Sequence, residues 1–282
     1  MQPGSIKKPK ISYLNPGKVL RKESMAKTVC ALKIDNLSVE VEGKRILTDV
    51  DLDVPRGEVH VLFGPNGSGK TSLIMSILGL SAYRVTSGKI WLNGKDITSL
   101  PINERVKAGI GVAFQNPPII RGVKLGDIIR SFVGEGPDAE KKEHGLIETI
   151  NFPRAFLERD LNLGFSGGEL KRSEVLQVLV QEPNFVILDE PDSGVDVENL
   201  ELTGKVISDF LKERSALLIT HLGYILRYVD ANLAHVMING TVVCSGKPLV
   251  ILSQIMREGY RWCEKCPKVK GERCELGEKP RL

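Results

Sequence analysis

Eight consecutive residues, Gly64, Pro65, Asn66, Gly67, Ser68, Gly69, Lys70 and Thr71, fit the pattern G-x-x-x-x-G-K-[ST] in full. Each residue type has a chemical reason to be there. The glycines let backbone N–H groups turn inward around a β-phosphate, and a following helix adds its positive end. Lys70 brings a point charge to the β and γ oxygens, and Thr71 brings a hydroxyl ligand for Mg2+. A loop of this kind grips a nucleoside triphosphate. Further along, Asp189 and Glu190 follow the apolar run 185–188. A carboxylate at that tip can hold Mg2+ through water, because the ion prefers oxygen ligands and keeps several waters. Glu190 beside it is the candidate for polarising an attacking water. Gln115 follows another apolar run and can reach the Mg2+ or the water. His221 follows a third, placed to contact the γ-phosphate and support the base–water pair. A lone Gln or His is more often structural, so the weight of these two comes from their position at strand tips. His60, His144 and His235 are read as structural.

A second anion site lies in the same chain. Ser166, Gly167 and Gly168, followed by Glu169, open a predicted helix and offer a hydroxyl, unobstructed backbone N–H groups and a helix dipole. One chain binds one γ-phosphate, yet here are two sites for it. The economical resolution is a head-to-tail pair of chains, each capping the other's nucleotide, with ATP as part of the interface. Hydrolysis then removes the bridging charge and weakens the pair.

These residues need elements to position them. Residues 31–41 and 46–54 alternate polar and apolar, as antiparallel strands do, with Glu42-Gly43-Lys44 as the turn between them. Val59–Phe63 reads as a strand buried on both faces that leads into the glycine loop. A helix is expected from Ser68 through Leu78, ended by Gly79. Short strands follow at 88–94 and at 109–114, the latter delivering Gln115. Between 116 and 168, Pro117-Pro118, Gly134 to Pro137 and Asn151-Phe-Pro153 break the chain, while 123–133 and 139–150 have helical spacing. This stretch is read as a small helical lobe inserted into the nucleotide core. A helix over 169–181, a strand at 185–188, a helix over 197–213 and a strand at 216–220 come next. A hairpin turns through Asn239-Gly240, and a helix spans 248–257. No internal repeat is visible.

Composition narrows the function. Hydrophobic content of 41% and charged content of 26% suit an ordinary folded domain, and no apolar run approaches the ~20 residues of a membrane helix. Direct membrane insertion is therefore not expected. The net charge of +4 comes from residues 1–28, which hold seven basic side chains against Glu23. The remainder is slightly acidic, which removes a basic-surface case for nucleic-acid binding. Residues 1–30 are read as a basic, disordered tail, since Pro3, Pro9 and Pro16 oppose a continuous helix. A transit peptide or a start at Met25 are the other readings. Five cysteines, an odd number, and no export signal point to a reducing compartment, with cytoplasm as the default.

The motifs and their order resemble the ABC ATPase family over about residues 31–250. The resemblance implies an α/β fold: a P-loop NTPase cassette with a RecA-like core, an antiparallel β subdomain and the inserted helical lobe. Finer detail resembles SufC, the ATPase of the SUF iron–sulfur assembly machinery. The stretch Phe165-Ser-Gly-Gly-Glu-Leu-Lys-Arg-Ser-Glu-Val-Leu-Gln177 carries it, as does Leu188-Asp-Glu-Pro-Asp-Ser-Gly-Val-Asp196, in which Asp196 is the D-loop aspartate. Arg105–Gly109, Ala113–Pro117, Gly122-Val123 and Glu258-Gly-Tyr260 agree. The resemblance implies an ATPase that pairs on ATP and docks on SufB- or SufD-like scaffold proteins through a surface around 116–135. Pro191 departs from the Thr often found there, and the position expected to stack on adenine falls near Val41, which has no ring.

Residues 261–282 form a Cys-bearing extension past the family's usual end. Cys263, Cys266 and Cys274 give the spacing C-x2-C-x7-C, a thiolate knuckle that suits zinc or an iron–sulfur cluster. A closed tetrahedral site wants a fourth ligand, from Cys244, a histidine, a partner or an open cluster iron. The bland alternative is a tail with free thiols. Cys30 and Cys244 are otherwise packing residues. Three rivals to the assembly ATPase remain: the nucleotide-binding subunit of a transporter, a translation factor on the same cassette, and a scaffold with a vestigial ATPase.

Overall fold

The computed structural model describes residues 30–264 and 273–274. In chain order its elements are β1 (Cys30–Val41), β2 (Lys44–Pro55), β3 (Val59–Phe63), α1 (Lys70–Leu78), β4 (Arg84–Leu92), β5 (Lys95–Asp96) and α2 (Ile102–Lys107). Then come β6 (Ile110–Ala113), β7 (Ile120–Lys124), α3 (Leu125–Val133), α4 (Pro137–Thr149), β8 (Asp160–Leu161) and α5 (Gly167–Gln181). The chain continues with β9 (Phe185–Asp189), α6 (Val197–Leu211), β10 (Ser215–Ile219), β11 (Leu233–Ile238), β12 (Thr241–Gly246), α7 (Pro248–Glu258), α8 (Arg261–Glu264) and β13 (Arg273–Cys274).

Period-two alternation makes two cores from one sheet. Strands β6, β9, β10, β3 and β11 run parallel to their neighbours, and β12 closes antiparallel on β11. On the three central strands every residue is buried. Val59, Val61, Phe63, Val186, Leu188, Ala216 and Leu218 face one core, shared with α3 to α7. Leu62, Phe185, Ile187, Leu217 and Ile219 face the other, shared with α1 and the antiparallel sheet β2-β1-β4-β5. Burial on both faces is why these strands read as continuous apolar runs, while β1 alternates. The parallel direction has a functional consequence. The carboxyl ends of β3, β6, β9 and β10 lie on one edge, so the loops that follow all open there.

Several expectations are corrected. Helix α1 begins at Lys70 rather than Ser68, because Gly69 holds φ +107° and stops the helix from extending backward. The strand expected at 88–94 starts at Arg84, where β4 pairs with β1 as far as Glu40. Residues 123–124, expected to open a helix over 123–133, are strand: within β7 Ile120 and Lys124 pair with Leu161 and Asp160, and the helix begins at Leu125. Helix α2 is not among the elements expected from the sequence pattern. Its Arg105 is 3% exposed and donates to the carbonyls of Ser76, Ile77, Thr98 and Leu100, capping the end of α1.

His60 and His235 are indeed structural. His60 Nδ1 lies 3.0 Å from His235 Nε2, and their other ring nitrogens meet Glu58 and Ser245. Residues 1–29 and Cys266 lie outside the described residues, as do the side chains of Cys263 and Cys274, so the expected basic tail and cysteine knuckle fall there. Among the described residues no helix is long and apolar enough to cross a membrane.

Candidate nucleotide site

The loop between β3 and α1 wraps a cleft of about 320 Å³. Asn66 to Ser72 line one side; Gln115, Asp189, Glu190 and His221 line the other. Residues from four separated segments therefore meet because four parallel strands end together. Two of the cradle's glycines, Gly64 and Gly69, have no room for a side chain. A Cβ on Gly64 would lie 2.5 Å from the Met237 carbonyl oxygen, and Ser68 Oγ is buried there without a hydrogen-bond partner. The cradle, one buried lysine and a helix start are what a triphosphate requires. Lys70 Nζ donates to the carbonyls of Gly64, at 2.7 Å, and Pro65, at 3.0 Å. Burial lowers its pKa, while Glu190 and Asp189 pull the other way.

Opposite the lysine, Asp189 is pushed up to about 6, first by burial and then by the neighbouring Glu190 charge. The Gln115 backbone N–H, Lys171 and Lys70 oppose that rise. Thr71, Gln115 and Asp189 offer only oxygens of hydroxyl, amide and carboxylate type, a donor set that fits Mg2+. Glu190 is held from both sides: Gln115 Nε2 donates to one carboxylate oxygen, and His221 Nε2 lies 2.8 Å from the other. The Glu190 backbone sits at φ +49°, a conformation that costs a non-glycine residue energy.

Ile46 also lines the cleft.

The serine-glycine turn is elsewhere. None of Ser166, Gly167, Gly168 and Glu169 lines this cleft. Ser166 caps α5: its hydroxyl accepts from the Glu169 N–H, and the Glu169 carboxylate accepts from the Ser166 N–H at 2.7 Å. That backbone hydrogen bond lowers the Glu169 pKa. The turn's two glycines are required by their neighbours. A Cβ on Gly167 would lie 2.7 Å from the Gly194 carbonyl oxygen, and one on Gly168 would lie 2.9 Å from Asn199 Nδ2. Asn199 is the residue that Asp196 caps at the start of α6. The serine-glycine turn and the Asp196 turn therefore form one packed surface.

Sequence reasoning missed the residues that brace these loops. Lys171 and Glu174, one turn apart on α5, grip the segment carrying Gln115. Lys171 Nζ donates to the Gln115 carbonyl at 2.9 Å, and Glu174 accepts from the Phe114 N–H at 2.9 Å. Burial lowers the pKa of Lys171 and raises that of Glu174. Both are nearly fully buried, which no local pattern of charged residues along the helix signals.

Comparison with known proteins agrees with this geometry. Residues 47–193 match the family model described as "ABC transporter". "Vegetative protein 296" of Bacillus subtilis (strain 168) is 41% identical over 245 residues, covering 82% of this chain and 92% of that protein. Among solved structures, an ATP-binding subunit of an ABC transporter superposes with a TM-score of 0.70 at 25% identity, covering 83% of this chain and 100% of the other. A dimeric, post-hydrolysis ATP-binding cassette holding ADP and Pi superposes with a TM-score of 0.66 at 20% identity, covering 77% and 98%. At that identity the second likeness speaks to the fold alone.

Proposed function

This chain belongs to the ABC transporter family and is an ATPase, and from that premise we propose that it serves a SUF-like iron–sulfur assembly complex rather than a membrane permease. The observation that carries the reading is the buried Lys171/Glu174 pair. Both residues come from the stretch Phe165 to Gln177 that resembles SufC, and both are committed to holding the Gln115 loop. The exposed apolar side chains Ile119, Ile120, Val123 and Phe132 support a docking face for SufB- or SufD-like scaffold proteins within residues 116–135.

The chemistry is in-line attack of water on the γ-phosphate of MgATP. Thr71, Asp189 and Gln115 would hold Mg2+, which when bound would supply charge neutralisation to the transferring phosphate. Lys70 and the loop N–H groups position the phosphates. Glu190 takes the water's proton, with His221 fixing the carboxylate and facing the γ-phosphate. Positioning and electrostatic stabilisation supply most of the acceleration. Ser166, Gly167 and Gly168 act on the nucleotide of a second copy, and Asp196 lies beside that contact. Pairing on ATP and release after hydrolysis then remodel the scaffold from the cytoplasm.

The partner is tested by isolating the full chain from its own cells under reducing conditions and identifying what co-purifies. Scaffold proteins that dissociate when Ile120 and Phe132 are changed to Asp support the reading. A membrane permease in their place establishes the transporter reading, which the likeness to the 25%-identical ATP-binding subunit of an ABC transporter favours. We further propose that Cys263, Cys266 and Cys274 bind zinc or an iron–sulfur cluster. Purified protein then carries metal that the triple-serine variant lacks, and equal metal content in the two ends the idea.

A further inference from the structure

The strained Glu190 turn and the His221 turn are separate in sequence yet share one buried polar contact. Glu190 N–H donates to the Ile219 carbonyl at 2.9 Å, and Ser193 N–H returns to the Glu190 carbonyl at 3.1 Å. That closes a four-residue turn with Pro191 at its second position, where a fixed φ is favoured. This also gives Pro191 a local structural reason. The third residue of the turn is Asp192, 7% exposed. Both its carboxylate oxygens accept from the Thr220 hydroxyl, at 3.0 and 2.8 Å, and Oδ2 also accepts from the Ile225 N–H at 3.3 Å. Thr220 is fully buried and its hydroxyl accepts in turn from the Gly223 N–H at 2.9 Å.

Asp192 lies two residues after Glu190, and Thr220 immediately precedes His221. The Asp192–Thr220 contact therefore ties together the two backbones whose side chains meet at 2.8 Å in the cleft. A hydroxyl that donates to a buried carboxylate makes a charge-assisted hydrogen bond, stronger than a neutral one and costly to leave half made. Nothing else among the described hydrogen bonds links side chains of these two turns other than the Glu190–His221 contact itself.

We propose that Asp192 and Thr220 are positioning residues for hydrolysis. Together they hold Glu190 in its left-handed backbone conformation and fix His221 against its carboxylate, without touching nucleotide. The inference rests on the reading of Glu190 as the group that takes the water's proton. Because the pair acts on the alignment of Glu190 and not on the cradle, its loss lowers kcat and leaves the KM for ATP in place. A misplacement of about 1 Å is enough to cost about 10²-fold in rate.

The test compares Thr220→Val, which keeps the shape and loses the hydroxyl, with Thr220→Ser, which keeps the hydroxyl. Asp192→Asn and Glu190→Gln complete the set, all in the full chain with MgATP. Thr220→Val and Asp192→Asn are expected to lower kcat about tenfold or more with KM within about threefold of the parent. Thr220→Ser is expected to stay within about threefold in kcat, and the Val/Asn double variant to lose no more than the worse single one. Should Thr220→Val fail to fold, Asp192→Asn against Thr220→Ser still decides. Parent-like kcat in Thr220→Val or Asp192→Asn overturns the inference. So does a rise in KM that accounts for the whole loss, or a Ser variant as impaired as Val. A Glu190→Gln variant that turns over like the parent brings down the underlying reading of Glu190 instead.

Discussion

Two glycine-bearing turns open helices in this molecule, and they are built for different surroundings. The turn before α1 sits inside a cleft, with a buried lysine and the Asp189 and Glu190 carboxylates facing it. The turn before α5 stands away from that cleft. Its serine is exposed and already capping its own helix, and its glycines are pressed against residues 194 and 199. Both offer the positive end of a helix to an anion. Only the first has the metal-ligating oxygens and the candidate base beside it. The difference fits the proposed pairing, in which one chain carries most of a catalytic site and a fragment that completes a second copy's.

The sharpest way to break the comparison is to disable each turn's chemistry separately. Glu190→Gln is expected to lower hydrolysis by about 10²–10⁴-fold while leaving ATP binding intact, read by steady-state phosphate release beside direct nucleotide titration. Ser166→Arg blocks the exposed turn, and its expected loss is smaller, about 10²-fold. Its affinity for ATP at low protein concentration should match the parent's. If Ser166→Arg weakens binding to the isolated chain as Lys70→Ala does, the two turns serve the same nucleotide in one chain and the comparison fails. Glu174→Gln tests the link between the turns, since α5 runs from one to the Gln115 loop of the other. A drop of about three- to tenfold in kcat is expected. Unchanged kcat would show that the Gln115 loop holds itself.

The smallest effect concerns stability. Asp189 rises from an ordinary 3.8 to about 6 in the folded, nucleotide-free chain. A carboxyl with a raised folded pKa binds its proton more tightly when native, so stability grows as pH falls through about 6 and is lost as pH rises through it. Asp189→Asn should therefore stabilise the nucleotide-free protein at pH 7 by about 1–3 kcal/mol while abolishing Mg2+-dependent turnover. A variant no more stable than its parent at pH 7 contradicts this cost of holding a charge ready for a metal.

How much of this was legible in the sequence depended on distance along the chain. The residues Gly64 to Thr71 are contiguous, and Asp189 and Glu190 end a run of apolar residues, so their roles could be argued from spacing alone. The parallel core was legible for the same reason, because burial on both faces leaves an apolar run. What was not legible depends on partners far apart in sequence. The pairing of 120–124 with 160–161 converts an apparent helix start into a strand. Asp192 meets Thr220 across 28 positions, and Glu174 meets Phe114 across 60. Nothing in a local window separates such a buried acid from a solvated one.

The most direct measurement is the mass of the Glu190→Gln chain in solution, by light scattering, with and without saturating MgATP and with Ser166→Arg added. The account predicts that MgATP takes the 31.1 kDa chain to twice its mass and that Ser166→Arg prevents it. A chain that stays single under saturating MgATP, or that pairs equally well with the arginine in place, would contradict it.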